Sequence, residues 1–235
     1  MAESNHDSVD DGRVVLLIST LVTDPDHFAR QGWANELARA FRRGYPVQRL
    51  RELLRASDPR IVRSAVWIAS ELGDIGTALL DEAVTLLSNP DDYVRYYALD
   101  VLTLATDSAR TDMFWLLVHA LDDPDSAVRG KAVRLIYWAN PGQIAAARHA
   151  VQAGMLDSVV HESALQALTE QPSETGALFA EQLLSGSHRL QKQYGVILAA
   201  RWFSAFPYLL AMATESTDKE IADAAKFLMS LQGSS

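Results

Sequence analysis

No cysteine occurs in the 235 residues. That excludes disulfides, thiol catalysis and cysteine-ligated zinc, and it removes any need for an oxidising compartment. Long apolar runs are also missing. A membrane-spanning helix needs about 18 to 20 such residues, whereas the longest candidate, Val14 to Val22, is interrupted by Ser19 and Thr20. No basic segment precedes an apolar one at the N-terminus, so it does not read as a signal peptide. A cytoplasmic chain without membrane contact is the expectation. Glycine-rich phosphate loops, HExxH and GxSxG are absent. His6, His27, His119, His149, His161 and His188 include no i, i+4 pair. No metal, cofactor or enzymatic role is therefore expected. Positive charge is short as well: 21 Lys and Arg stand against 30 Asp and Glu, a net charge of −9. Such a balance argues against direct nucleic-acid binding, which needs a basic footprint. It suits a protein partner with a basic surface.

What the chain does have is repetition. Asp58-Pro59 is followed by Val62-Arg63, then Ala65 and Ala69. Asn89-Pro90 is followed by Val94-Arg95, Ala98 and Leu102. Asp123-Pro124 is followed by Val128-Arg129, Ala132 and Ile136. A fixed period in this range signals stacked supersecondary units. The pattern weakens but continues. With Val62, Val94, Val128, Val160, Leu190 and Ile221 as equivalents, the spacings are 32, 34, 32, 30 and 31 residues.

Each unit reads as two helices. The first of each pair is expected over 47–55, 79–87, 113–121, 143–153, 174–184 and 206–213. The second follows an Asx-Pro turn, near 60–72, 92–104 and 126–139 for the clearest copies. Asp there accepts a bond from free helical amides, and Pro suits a first turn, where its missing N–H costs nothing. Alanine four residues after four of these six positions (Ala98, Ala132, Ala164 and Ala225) lets helices approach closely. One hairpin cannot bury its apolar stripe alone, but stacked neighbours can. The expected organisation is a disordered acidic tail over 1–12, capping helices over 13–46 and one repeat array over 47–232. The stretch 14–22 fits a strand or a buried helix, and a helix is preferred because no second strand-like run could pair with it.

These motifs resemble the HEAT repeat, in particular the short bacterial form also seen in phycobilin lyases. The resemblance covers 47–139 closely and 143–232 loosely, with His161, Gln191 and Ala222 at the arginine position. It implies an all-α fold, a right-handed α-solenoid of about six helical hairpins. Such scaffolds host many functions.

Arg63, Arg95 and Arg129 are expected to form a ladder of ion pairs with Asp58, Asp91 or Asp92, and Asp125. Trp67, Trp115 and Trp138 are expected to pack against neighbouring helices. If the second helices line one face, Tyr96, Tyr97, Asp100, Lys131, Arg134 and Tyr137 form a partner-binding patch, since Tyr and Arg most often anchor interfaces. The reading is a non-enzymatic protein-binding solenoid, in its narrowest form a bacterial immunity-type protein masking a basic toxin. The alternatives are a lyase-type or cofactor-attachment enzyme, or an assembly chaperone, on the same scaffold.

Overall fold

The computed structural model describes residues 8–108, 110–156 and 159–233, and every regular element in them is helical. Contacts divide the chain into two compact units, Met1–Ala105 and Thr106–Ser235.

The first unit contains α1 (Ser8–Thr23), α2 (Pro25–Arg30), α3 (Ala34–Arg42), α4 (Gln48–Leu54), α5 (Pro59–Ser70), a 3-10 segment (Gly73–Leu79), α6 (Leu80–Leu86) and the start of α7 (Asp92–Ser108). The ambiguous stretch 14–22 is thus helical. Val14, Leu17 and Leu21, spaced to share one face, are buried, and α1 packs on α2 and α3. Of the acidic tail expected over 1–12, residues 1–7 lie outside the described residues. From Ser8 the chain is already in α1, and Asp11 falls in its first turn, where the helix dipole favours negative charge. Gly44 ends the α3 segment with φ +103°, a left-handed conformation that a side chain would strain. Arg51 of α4 and Arg55, which caps that helix, reach the buried carboxylate of Glu82 on α6.

The second unit opens with a 3-10 turn (Thr111–Met113), α8 (Trp115–His119) and another 3-10 turn (Ala120–Asp122). It continues through α9 (Ser126–Tyr137), α10 (Pro141–Gln152), α11 (Val159–Leu168), α12 (Glu174–Ser185), α13 (Arg189–Arg201), α14 (Pro207–Thr214) and α15 (Lys219–Gln232). Each expected helix has a counterpart, although the expected 79–87 and 113–121 helices are shortened by 3-10 segments.

α13 is the centre of this unit. Its residues 193–200 are all buried, and it packs against α9, α11, α12, α14 and α15. Repeats in an open array touch only their neighbours. Here the second helix of the third hairpin, α9, also packs on that of the sixth, α15. Arg201 at the end of α13 donates to the carbonyls of Ala139 (3.0 Å) and Ile136 (3.4 Å), which finish α9.

The hairpin turns refine the expectation. Before α5, Asp58 is the cap and Pro59 begins the helix. Before α7 and α9 the Asx-Pro pair lies one step earlier. Asn89 Oδ1 accepts from the amide of Asp91 (2.9 Å) and Asp123 Oδ1 from that of Asp125 (2.8 Å), and those aspartates then accept from the first free helical amides. The same arrangement recurs without proline before α15. Ser216 Oγ accepts from the amide of Asp218 (3.2 Å), and Asp218 caps the helix.

That register corrects the expected arginine ladder. Arg63 pairs with a turn aspartate, but with Asp91 of the following turn (3.0 Å), since Asp58 is held by Arg60. Arg95 donates to the carbonyls of Asn89 (2.8 Å) and Pro90 (3.1 Å). Arg129 does the same to Asp123 (2.7 Å) and Pro124 (2.8 Å), and its Nε donates to Glu220 of α15 (2.9 Å) rather than to Asp125. One extra residue between the Asx and the arginine brings the guanidinium back over the turn's own carbonyls.

Candidate functional site

In the first unit, side chains from three separated segments enclose a cleft of about 470 Å³. Asp26 and Phe28 come from α2, Arg60, Arg63 and Trp67 from α5, and Tyr93 from the first turn of α7. The cap at Asp58 starts α5, so Arg60, Arg63 and Trp67 recur on one side at helical spacing. Arg60 bridges two helices, with Nη1 donating to Asp26 (2.9 Å) and Nη2 to Asp58 (2.7 Å). The Arg60 hydrogen bonds, from side chain and then from backbone, hold the Asp58 carboxyl below its ordinary range.

Arg63 is fixed on two sides. Its Nη1 donates to both oxygens of Asp91, at 3.0 and 3.2 Å, and its guanidinium lies 4.3 Å from the centroid of Tyr93. A planar cation over an aromatic face is attractive and geometrically defined. Tyr93 continues into a ring-to-ring strip along α7. The centroids of Tyr93 and Tyr97 are 4.7 Å apart, and those of Tyr96 and Tyr97 are 5.1 Å apart. Burial raises the pKa of both Tyr93 and Tyr97, so these phenols stay neutral at physiological pH. The strip is half-buried, a run of aromatic area with polar tips.

The six residues expected to form one patch are carried by α7 and α9. Tyr96, Tyr97 and Asp100 lie on α7 in the first unit, all half-buried. Lys131, Arg134 and Tyr137 lie on α9 in the second. There Lys131 is buried, Arg134 sits 5.1 Å from the Phe227 ring centroid, and the Tyr137 hydroxyl accepts from Gln232 Nε2 (3.0 Å). The C-terminal helix α15 supplies the contacts of Arg134 and Tyr137, both of which stay partly exposed. Trp138 corrects another expectation. It follows the last residue of α9, stacks on Tyr137 at 4.8 Å, and is 68% exposed rather than packed. Trp67 and Trp115 are partly buried.

Sequence reasoning missed Arg60, Trp67 and Tyr93 as members of a site. Tyr93 carries a usable signal: with Tyr96 and Tyr97 it completes an i, i+3, i+4 aromatic set on one helix. Among the described residues, no group of three or more His, Asp or Glu is placed to hold a metal ion. No helix among them is long and apolar enough to cross a membrane.

No family model matches this chain, and no curated protein matches it. Among solved structures, an engineered protein determined by the Northeast Structural Genomics Consortium is similar at 18% identity, over 96% of this chain and 69% of that one. The TM-score is 0.43, a similarity that fixes neither fold nor function.

Proposed function

We propose that this chain is a non-enzymatic protein-binding module, built from six HEAT-like hairpins stacked as an α-solenoid and directed at a partner with a basic surface. The observation that carries the proposal is the strip of Tyr93, Tyr96 and Tyr97 beside the cleft walled by Trp67 and Arg63. Aromatic side chains and arginine supply most hot-spot energy in protein interfaces, because they present large area at low entropic cost. Here the strip is pre-set by ring contacts, by the guanidinium over Tyr93 and by the buried stripe of α7. Little further ordering is needed on binding. The net charge of −9 adds long-range attraction for a basic partner. In its narrowest form the module is an immunity-type inhibitor of a basic toxin.

Native affinity purification at low and high salt tests the proposal, using the wild-type chain and a Tyr93→Ala/Tyr96→Ala variant whose helicity is checked by circular dichroism. The expected result is one stoichiometric basic protein, retained at low salt, released at high salt and lost with the variant. Recovery of the chain alone at both salts, or equal retention by the folded variant, rejects the reading.

A further inference from the structure

From His149 to His188 the chain has no lysine or arginine, against the carboxylates Asp157, Glu162, Glu170, Glu174 and Glu181. Residues 202–218 repeat the pattern, with Glu215 and Asp218 and no base. These stretches supply α12 and α14, the first helices of the fifth and sixth hairpins, which pack on each other and on α13.

Each of the two helices buries one side and leaves a stripe on the other. α12 turns Ala177, Ala180, Leu183 and Leu184 inward, and α14 turns Leu209, Leu210 and Ala213 inward. On the outer side of α12 stand Glu174, Leu178 and Glu181, at i, i+4 and i+7. On the outer side of α14 stand Tyr208, Met212 and Glu215, with the same spacing. The phenol of Tyr208 hydrogen-bonds Glu181, the main reason its pKa is raised, and this contact joins the two stripes. Leu178 is 59%, Tyr208 48% and Met212 37% exposed. A single exposed apolar side chain is ordinary. Three on adjoining stripes, rimmed by charge, mark an interaction surface. None of the three glutamates has an ion-pair partner among the described residues. The bases nearest in sequence are placed elsewhere. Arg189 and Lys192 begin α13, Arg201 donates to a carbonyl that finishes α9, and Lys219 pairs with Asp223.

We propose that the outer face of α12 and α14 is a docking surface for a basic amphipathic helix of a partner protein. Two packed helices leave a shallow groove along their seam, and an amphipathic helix lays its apolar stripe into such a groove. Leu178, Met212 and the Tyr208 ring meet that stripe, and the unbranched methionine adapts to its shape. Lysines or arginines flanking the stripe meet Glu174, Glu181 and Glu215, which gives the complex its charge complementarity. A second copy of this chain is the less favoured occupant, because a two-fold contact sets the same carboxylates against one another. The surface lies in the second unit and shares no residue with the aromatic strip on α7.

The test uses the full chain and fluorescence anisotropy with three labelled peptides of about 14 residues, a helix slightly longer than α12. One places leucines along one helical face and lysines on the other. The second has the same composition in scrambled order, and the third keeps the leucine face with glutamate in place of lysine. The first peptide is expected to bind about tenfold or more tighter than the others, and Leu178→Ser/Met212→Ser to weaken it by about as much, as loss of interface anchors does. Glu174→Gln/Glu215→Gln lowers the salt dependence of that binding. Val15→Ser/Leu16→Ser removes exposed apolar side chains from α1 in the first unit and leaves binding unchanged. All these side chains face solvent, and circular dichroism confirms folding of each variant. The proposal is overturned if the scrambled or acidic peptide binds as tightly, or if the folded Leu178/Met212 variant binds like wild type. A dimer in sedimentation that this variant dissociates also overturns it, since the face would then belong to a second copy.

Discussion

Tyr194 and His161 meet inside the second unit, with the phenol oxygen 2.8 Å from His161 Nδ1 and both side chains buried. Tyr194 of α13 stands where the repeat pattern has Ala98 and Ala132. A phenol at that depth requires a hydrogen-bond partner, and the histidine at the arginine position of α11 provides it. Tyr194→Phe leaves the imidazole nitrogen facing a ring edge. Urea denaturation should show a loss of about 1–3 kcal/mol, the penalty for a buried polar atom left without its partner.

The same pair makes stability depend on pH. Burial lowers the pKa of His161 from its usual 6.5, the nearby Asp122 opposes that shift, and His119 adds slightly to it. Below pH 6.5 the unfolded chain therefore binds more protons than the folded one, and stability falls as pH drops toward the depressed value. Denaturation midpoints measured from pH 7.5 to 5 should decline, and His161→Asn should flatten part of that decline. An unchanged slope in the variant would assign the pH dependence to other groups.

Arg129 and Glu220 form the charged contact between α9 and α15, with Arg129 only 7% and Glu220 17% exposed. Removing one partner of a buried pair leaves an uncompensated charge and costs about 3–5 kcal/mol, whereas replacing both with apolar residues of similar size is nearly neutral. Glu220→Met should therefore destabilise strongly, and Arg129→Met/Glu220→Met should recover most of the loss. Equal destabilisation by both variants would show that the pair does not act as a unit.

Gly195 sits where α13 meets α12. A Cβ there would lie 2.8 Å from Leu184 Cγ and 2.9 Å from the Leu184 backbone nitrogen. Because backbone has to move, Gly195→Ala should cost about 1–3 kcal/mol despite alanine's better helix propensity. Thermal unfolding would read this directly.

Asp218 repeats the capping role of Asp91 and Asp125 without a preceding proline. Asp218→Ala should cost about 1 kcal/mol, as other lost caps do. Asp91→Ala should cost more, because Arg63 loses its carboxylate too.

Local features were the legible ones. The cap at Asp58, the spacing of Val94, Ala98 and Leu102, and the apolar set Val14, Leu17 and Leu21 each specify a helix or a turn through neighbours a few residues away. The contacts that organise the second unit are not of that kind. Arg129 meets Glu220, and Tyr137 meets Gln232, across 91 and 95 residues, so no periodicity of a single hairpin encodes them. The turn at Ser216 was hidden because serine replaces the Asx residue and no proline follows. The aromatic cleft needed three segments brought together, although Tyr96 and Tyr97 already pointed to one wall of it.

The pairing of Arg129 with Glu220 also sets a timetable for synthesis. A ribosome adding about 5–20 residues per second delivers the glutamate roughly 5–18 seconds after the arginine, given their separation of 91 residues. Until then α9 has its turn carbonyls but not its carboxylate, and α13 has no α15 beside it. The second unit therefore completes its charged interior only as the last helix emerges, while the first unit, whose packed residues all precede Ala105, can settle earlier in translation.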